Sequence, residues 1–445
     1  MKPLVLVTAP VGTRSGYGSH SRDICRSLIA MDKFDVKIWP VRWGSTPQDV
    51  LSEDNSTDVP IIKRLLDNPN MDRQPDIHFH IVVPNEFQAM AKYNIGITAG
   101  LETTVCPPEW IEGLNRMNLN IVPAKFIKES LEKTVFDKHD QNTKQKIGTI
   151  QNEKPIEVLF EGADTNIYKT TKEFSKNLVD ALKEIKEDFC FLFVGHWLQG
   201  GLGNDRKDLG MLIKTFLETF KNQKKQPALL LKTSGATPCI LDREDIFKKI
   251  NEIKNTTNGK LPNIYMLHGD LRDEEMNGLY NHPKVKAHVS FTHGEGFGRP
   301  LLEASLSEKP VIAPNWSGHV DFLNKDAILL PGSLNDVKKE SFPKNMHVKG
   351  AQWFTVNYNF ASKTLKDVFD NYSKYTVKGK KLAIVNSTKF SLDAMTKKFE
   401  EILDRYLPKF EEQPKQVPLK LPKLKKVGKV SELPKIELPK LKKVK

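Results

Sequence analysis

Cysteine is scarce in this 445-residue chain. Cys25, Cys106, Cys190 and Cys239 stand far apart and form no CxxC pair, which excludes a disulfide scaffold and a cysteine zinc site and points to a reducing compartment. No apolar run approaches the roughly 20 residues that a membrane-spanning helix needs. A leader pattern is also missing. Pro3-Leu4-Val5-Leu6-Val7 comes almost at once and runs into a glycine loop, so it reads as a first strand rather than a signal peptide. The expected location is the cytoplasm, that of a host cell if the chain is phage-encoded.

Arginine and aromatic residues are absent from most of the C-terminus. Net charge is +13, yet residues 413–445 hold 11 Lys against 2 Glu, a local charge of +9 that leaves +4 for the body. Leu-Pro-Lys recurs at 407–409, 421–423, 433–435 and 438–440, with no Arg beyond Arg405 and Phe410 as the one aromatic. Repeated proline forbids a long helix and the apolar residues are too few for a core, so 408–445 reads as a disordered or polyproline-like basic tail. Without planar groups to read or stack on bases, any nucleic-acid contact would be phosphate-led, nonspecific and salt-dependent. A solubilising or partner-docking tail is the alternative.

What is present over the body is alternation. Length allows two cores, and apolar strands alternate with helices throughout. Leu4 to Pro10 reads as a buried strand, followed by a loop through Gly16 and Gly18, a helix from Ser21 to Met31 and a strand from Phe34 to Trp39. A dinucleotide-binding unit is the rival reading. It is weakened because Gly16-Tyr17-Gly18 runs into Ser19-His20-Ser21, and because the second strand ends in Pro40-Val41-Arg42 with no acid for a ribose. His78 and His80 share one face of a strand but have no third ligand at a metal spacing, so they read as packed or rim histidines. Phe189 to Gly195 is apolar enough for a sheet covered on both faces. It opens onto a glycine-rich loop holding Arg206 and Lys207, and Lys232 ends the next strand. Asn386 to Tyr406 reads as one amphipathic helix.

The densest signal is Val285 to Glu303. A β-branched strand leads into His293-Gly294-Glu295-Gly296-Phe297-Gly298, then a helix with Pro300 in its first turn. Glycines let a ligand approach the backbone, and a helix start favours phosphate. Glu295 and Glu303 would repel phosphate but suit vicinal hydroxyls. A ligand with phosphates at its centre and diols at both ends fits, as a nucleotide-sugar does. The bland alternative is a βα turn whose Glu303 favours the helix dipole.

Glu295 and Glu303, in GEGFGRPLLEAS, resemble the E-x7-E element of family-4 retaining GT-B glycosyltransferases. Residues 94–125 and 156–164 resemble that family's N-domain and interdomain patterns. The resemblance implies an α/β GT-B fold: two Rossmann-like domains facing across a cleft. The N-terminal acceptor domain would span 1–168, the donor domain 169–385, and a helix at 386–407 would cross back, ahead of the tail. Glu295, Lys207 and Arg206 would be catalytic. Glu303, Gly296, Phe297, Gly298, Lys232, Gly16 and Gly18 would bind the donor, and Glu102, Thr103 and His78 would face the cleft and acceptor. His196 stands where the family has a phosphate-binding Arg, so either His196 or Arg206 takes that role. The donor would be a nucleotide-sugar, a UDP-sugar by preference, with no cofactor and no obligatory metal. The acceptor hydroxyl could belong to a glycan, lipid or small molecule, or to a hydroxylated DNA base as in phage-type enzymes. An inactive GT-B scaffold that binds polyanions is the third reading.

Overall fold

A computed structural model describes residues 2–410, apart from 69, 141, 236 and 342–347. The tail expected over 408–445 therefore lies almost wholly outside the described residues. The body holds two six-stranded, all-parallel sheets. The first runs in the order β2-β1-β3-β4-β5-β8, from β1 (Leu4–Ala9), β2 (Asp35–Pro40), β3 (Ile77–Ile81), β4 (Tyr93–Ile97), β5 (Leu119–Val122) and β8 (Ile156–Val158). An antiparallel hairpin of β6 (Phe136–His139) and β7 (Lys146–Ile150) interrupts it. The second sheet runs β11-β10-β9-β12-β13-β14, from β9 (Cys190–His196), β10 (Ala228–Ser234), β11 (Ile264–Leu267), β12 (Val285–Val289), β13 (Val311–Pro314) and β14 (Ile328–Leu330). A second hairpin, β15 (Gly332–Asp336) with β16 (Gln352–Val356), follows.

Phe191, Leu192 and Phe193 of β9 pair in parallel with Leu229, Leu230 and Leu231 of β10, and all six are buried. Their side chains feed two separate cores, one on each face of the sheet, which is why the strands are continuously apolar rather than alternating. The second sheet has the doubly wound order in which the chain reverses direction between β9 and β12. Ligands of such sheets bind at the carboxyl ends of the two strands flanking that switch point.

Two expected elements differ. The first helix starts at Gly16, not Ser21, because the Ser15 hydroxyl caps it by accepting from Gly18 N. Gly18 is thereby a packing residue, since a Cβ there would sit 2.1 Å from the Thr13 carbonyl oxygen. Asn386 to Tyr406 is two helices, Tyr372–Lys389 and Leu392–Tyr406. Between them Phe390 and Ser391 turn their backbone to the first crossing of the chain: Ala163 N donates to Phe390 O, and Leu392 N to Ala163 O. Met395, Phe399, Ile402 and Leu403 form the buried stripe of the last helix. That helix returns to the first sheet, where Phe399 meets Phe79 edge-on and Ser27 Oγ lies 2.7 Å from Thr396 Oγ1.

Candidate active site

The loop after β12 is held from three sides. His293 N donates to the Arg206 carbonyl, Glu295 N donates to Ser317 Oγ, and Gly318 N donates back to the Glu295 carbonyl. A Cβ on Gly318 would lie 2.0 Å from the Gly296 oxygen, so the turn at 317–319 can approach only as glycine. Gly298 takes φ 98° and starts the helix Arg299–Ser305, a backbone that side chains other than glycine's rarely adopt. Gly294 and Gly296 face the first half of the chain. Cβ atoms there would meet Glu102 Cβ at 2.9 Å and the Ala99 oxygen at 2.4 Å. The bend thus lies in the seam between the two halves, at the switch point.

Lys207, from the loop after β9, reaches Glu295, from the loop after β12, with Nζ 2.5 Å from Oε1. Burial opposes ionisation of Glu295, yet Lys207 and Arg206 outweigh it and hold the carboxyl below its ordinary value. Arg206 lies 2.7 Å from Glu102 of the first half and 3.9 Å from Glu295. Glu303 receives Arg299 Nε at 2.9 Å and the Tyr280 hydroxyl at 3.3 Å. Burial pushes Glu303 up to about 7 despite Arg299. Arg299 also donates to Asp23 in the first helix. Both carboxyls are thereby tied to the first half of the chain, Glu295 beside the Arg206 that holds Glu102 and Glu303 beside the Arg299 that holds Asp23.

The other expected site residues divide. Glu102 is in the seam. Gly296 and Gly298 form the bend, while the Phe297 ring packs on Phe322 in the core, 4.9 Å between centroids, leaving only its backbone to a ligand. Lys232 lies near the carboxyl end of β10, which runs on to Ser234, and Asp270 and Arg14 are the charges acting on it. Gly16 is exposed with open space around it, and Gly18 is packed as described. Thr103 and His78 do not face the cleft. The Thr103 hydroxyl donates to the Val105 carbonyl in a buried turn. His78 is fully buried, with Nε2 2.9 Å from Thr8 Oγ1 and Nδ1 3.1 Å from the Gln88 oxygen. Thr104, next to Thr103 in the chain, instead bridges the halves, donating its amide to the Gln352 oxygen and accepting from Gln352 N at its hydroxyl. His196 Nδ1 is occupied by the Gly235 oxygen at 3.0 Å. Among the described residues no group of three His, Cys, Asp or Glu could hold a metal ion, and no helix is long and apolar enough to cross a membrane.

Asp23, Tyr280 and Arg299 contact the site but were not named as site residues from the sequence. Arg299 and Glu303 are visible there as an i,i+4 pair. The link of Asp23 to Arg299 carries no local signal, because the two lie 276 residues apart.

No protein-family model matches the chain, and no curated protein matches it in sequence. Solved structures do match in shape. A sucrose-phosphate synthase from Thermosynechococcus elongatus superposes with TM-score 0.59 at 11% identity, covering 91% of this chain and 99% of its own. A glycosyltransferase from Rickettsia africae gives 0.58 at 14% identity, covering 91% and 99%. HepE of Anabaena in complex with UDP-glucose gives 0.57 at 13% identity, covering 91% and 100%. The two parallel six-stranded sheets are those of the GT-B architecture.

Proposed function

We propose that the chain is a retaining glycosyltransferase that moves a sugar from a nucleoside diphosphate, UDP by preference, to an acceptor hydroxyl. The observation that carries this is the Lys207–Glu295 contact at the switch point of the second sheet, closed over by Glu102 of the first half. The shape shared with HepE, seen with UDP-glucose, supports it.

In the reaction the bond from the anomeric carbon to the diphosphate oxygen breaks. Positive charge grows on the sugar and negative charge on the leaving group. Lys207 and Arg206 are the cations within reach, and a diphosphate would take them over from Glu295 and Glu102. Glu295, so released, accepts hydroxyls of the donor sugar. Glu303, oriented by Arg299 and Tyr280, accepts the ribose diol. Fixed cations aimed at developing charge in a buried site are the largest source of rate here. The acceptor proton goes to the leaving phosphate, so no protein base and no metal is needed in this scheme. The four cysteines are all free, in keeping with a reducing cytoplasm.

A thermal-shift panel of UDP-, GDP- and ADP-sugars tests the donor, because a bound ligand stabilises by mass action. NMR of the product anomer tests retention. No stabilisation by any member, with no hydrolysis of excess donor, would leave an inactive scaffold. A second reading, transfer to a hydroxylated DNA base, is favoured by the +9 tail alone. Deleting 408–445 would then raise the apparent KM for long DNA and flatten its salt dependence.

A further inference from the structure

We propose that Asp208 is a positioning residue for Lys207: its buried carboxyl, anchored to Tyr358 and facing His293, fixes the backbone that aims the Lys207 ammonium at Glu295 and at the leaving diphosphate. This rests on the glycosyl-transfer reading. Asp208 follows Lys207 in the chain and starts the helix Leu209–Phe220 with φ 49° and ψ 34°. Asp tolerates this left-handed backbone because its short side chain can hydrogen-bond locally, and an Asp at a helix start ordinarily caps the helix. Asp208 does neither. Asp205 caps the helix instead, its carboxyl accepting from Leu209 N at 3.1 Å and Gly210 N at 3.5 Å. The Asp208 side chain is fully buried and makes no cap bond. A left-handed residue with a side chain persists where its surroundings over-determine it, and such outliers gather at functional sites.

Those surroundings are specific. Asp208 Oδ2 accepts from the Tyr358 hydroxyl at 2.7 Å. Its Oδ1 has no hydrogen-bond partner among the described residues and lies 3.8 Å from His293 Nε2. The His293 ring is equally buried and stacks on Trp353 with 4.1 Å between centroids. Its Nδ1 is 2.7 Å from the Phe354 carbonyl oxygen, and its Nε2 is 3.3 Å from that of Gly203. A neutral imidazole has one N–H. The shorter contact takes it, which leaves the Nε2 lone pair facing Gly203 and Asp208. One proton on Asp208 Oδ1 relieves that opposition and spares the interior an unpaired charge. Burial favours the same state, raising the Asp208 carboxyl and holding His293 down at about 4.

Asp208 and His293 belong to the loops after β9 and β12, the two that carry Lys207 and Glu295. Arg206 is held from one side, since its carbonyl accepts from His293 N at 2.9 Å. Asp208 is held from the other side by Tyr358. Tyr358 opens the helix Tyr358–Asp370, which Asn357 caps by accepting from Phe360 N. Thr219, of the helix that Asp208 starts, donates to Ser362 of this second helix at 2.8 Å. Lys207 is therefore fixed at both of its neighbours, and its ammonium inherits that geometry. Asp208 touches no reacting atom in this scheme and acts through Lys207.

The test uses the full chain with UDP-glucose, or with GDP- or ADP-glucose where that stabilises the wild type more, and reads release of the nucleoside diphosphate. Tyr358→Phe and Asp208→Gly should each lower kcat about tenfold or more, as slight misplacement of a reacting group does. The donor KM should stay within about threefold, and the donor should still raise the melting temperature of each variant. Asp208→Asn keeps the shape, the left-handed backbone and a neutral side chain, so its kcat should stay within about threefold of wild type. In a Lys207→Ala background, followed with enzyme in excess, Tyr358→Phe should cost less than about twofold more, because groups acting as one unit are not additive. Unchanged kcat in both Tyr358→Phe and Asp208→Gly overturns the proposal and leaves glycosyl transfer standing. So does an Asp208→Asn defect as deep as that of Asp208→Gly, or an undiminished further loss in the Lys207→Ala background. Failure of all three nucleotide-sugars to stabilise the wild type, with no donor turnover, overturns both.

Discussion

Arg299 Nη1 lies 2.5 Å from Asp23 Oδ2, joining the helix after the donor bend to the first helix of the chain. Its Nε holds Glu303 at the same time. One partly buried guanidinium therefore orients the expected ribose acid and ties the two halves together. Asp23→Ala should cost about 1.5–3 kcal/mol of stability, because it removes one charge-assisted partner of the partly buried Arg299, which keeps Glu303. Chemical denaturation measures this. A loss below about 1 kcal/mol would show that the link is solvated and slack.

Lys207→Ala should lower turnover about 100- to 1,000-fold, as loss of one preorganised charge does, whereas Glu303→Ala should mainly weaken donor binding. Arg206→Ala should resemble Lys207→Ala. His196→Ala should stay within a few-fold of wild type, because the imidazole is committed to the Gly235 carbonyl. Steady-state kinetics with a saturating acceptor separate the cases, and a severe His196 defect would transfer the phosphate-binding role to it.

Burial pushes the Glu161 carboxyl from 4.5 up to about 7, with Arg299 pulling it back and Asp23, Glu303 and Glu295 adding to the rise. The folded chain then keeps a proton that the unfolded chain releases. The stabilisation this proton confers is complete below about pH 4.5 and lost as pH rises through about 7. The stability difference between wild type and Glu161→Gln should fall by on the order of 3 kcal/mol across that window. Urea unfolding of both proteins at a series of pH values reads it directly, and a flat difference would mean the carboxyl is solvated.

Gly318→Ala should abolish activity while leaving much of the fold intact. The added Cβ would strike the Gly296 carbonyl at 2.0 Å and displace the turn that holds Glu295. Retained stabilisation by UDP-glucose in this variant would argue that the bend tolerates movement.

Much of the architecture was open to reading in one dimension. Apolar runs such as Phe189 to Gly195 can be satisfied only in a sheet covered on both faces, and their alternation with helices leaves few arrangements. The GEGFG bend was equally legible, because glycine spacing and flanking acids are local chemistry. The start of the first helix was missed because Gly16 and Gly18 look like loop residues until Ser15 is seen capping them. The break at Phe390 and Ser391 was missed because its cause, the backbone at Ala163, lies more than 200 residues away.

The amino-acid sequence by itself determined the two parallel sheets, the strand–bend–helix at 285–303 and the candidate roles of Glu295, Lys207 and Glu303. Those properties depend on residues near one another along the chain. Only the tertiary structure decided that Arg206 answers to Glu102, that Arg299 links Glu303 to Asp23, and that His78 and Thr103 are buried packing groups. Charge pairing and desolvation act through space. Which acid meets which cation is settled only when the two halves close on each other.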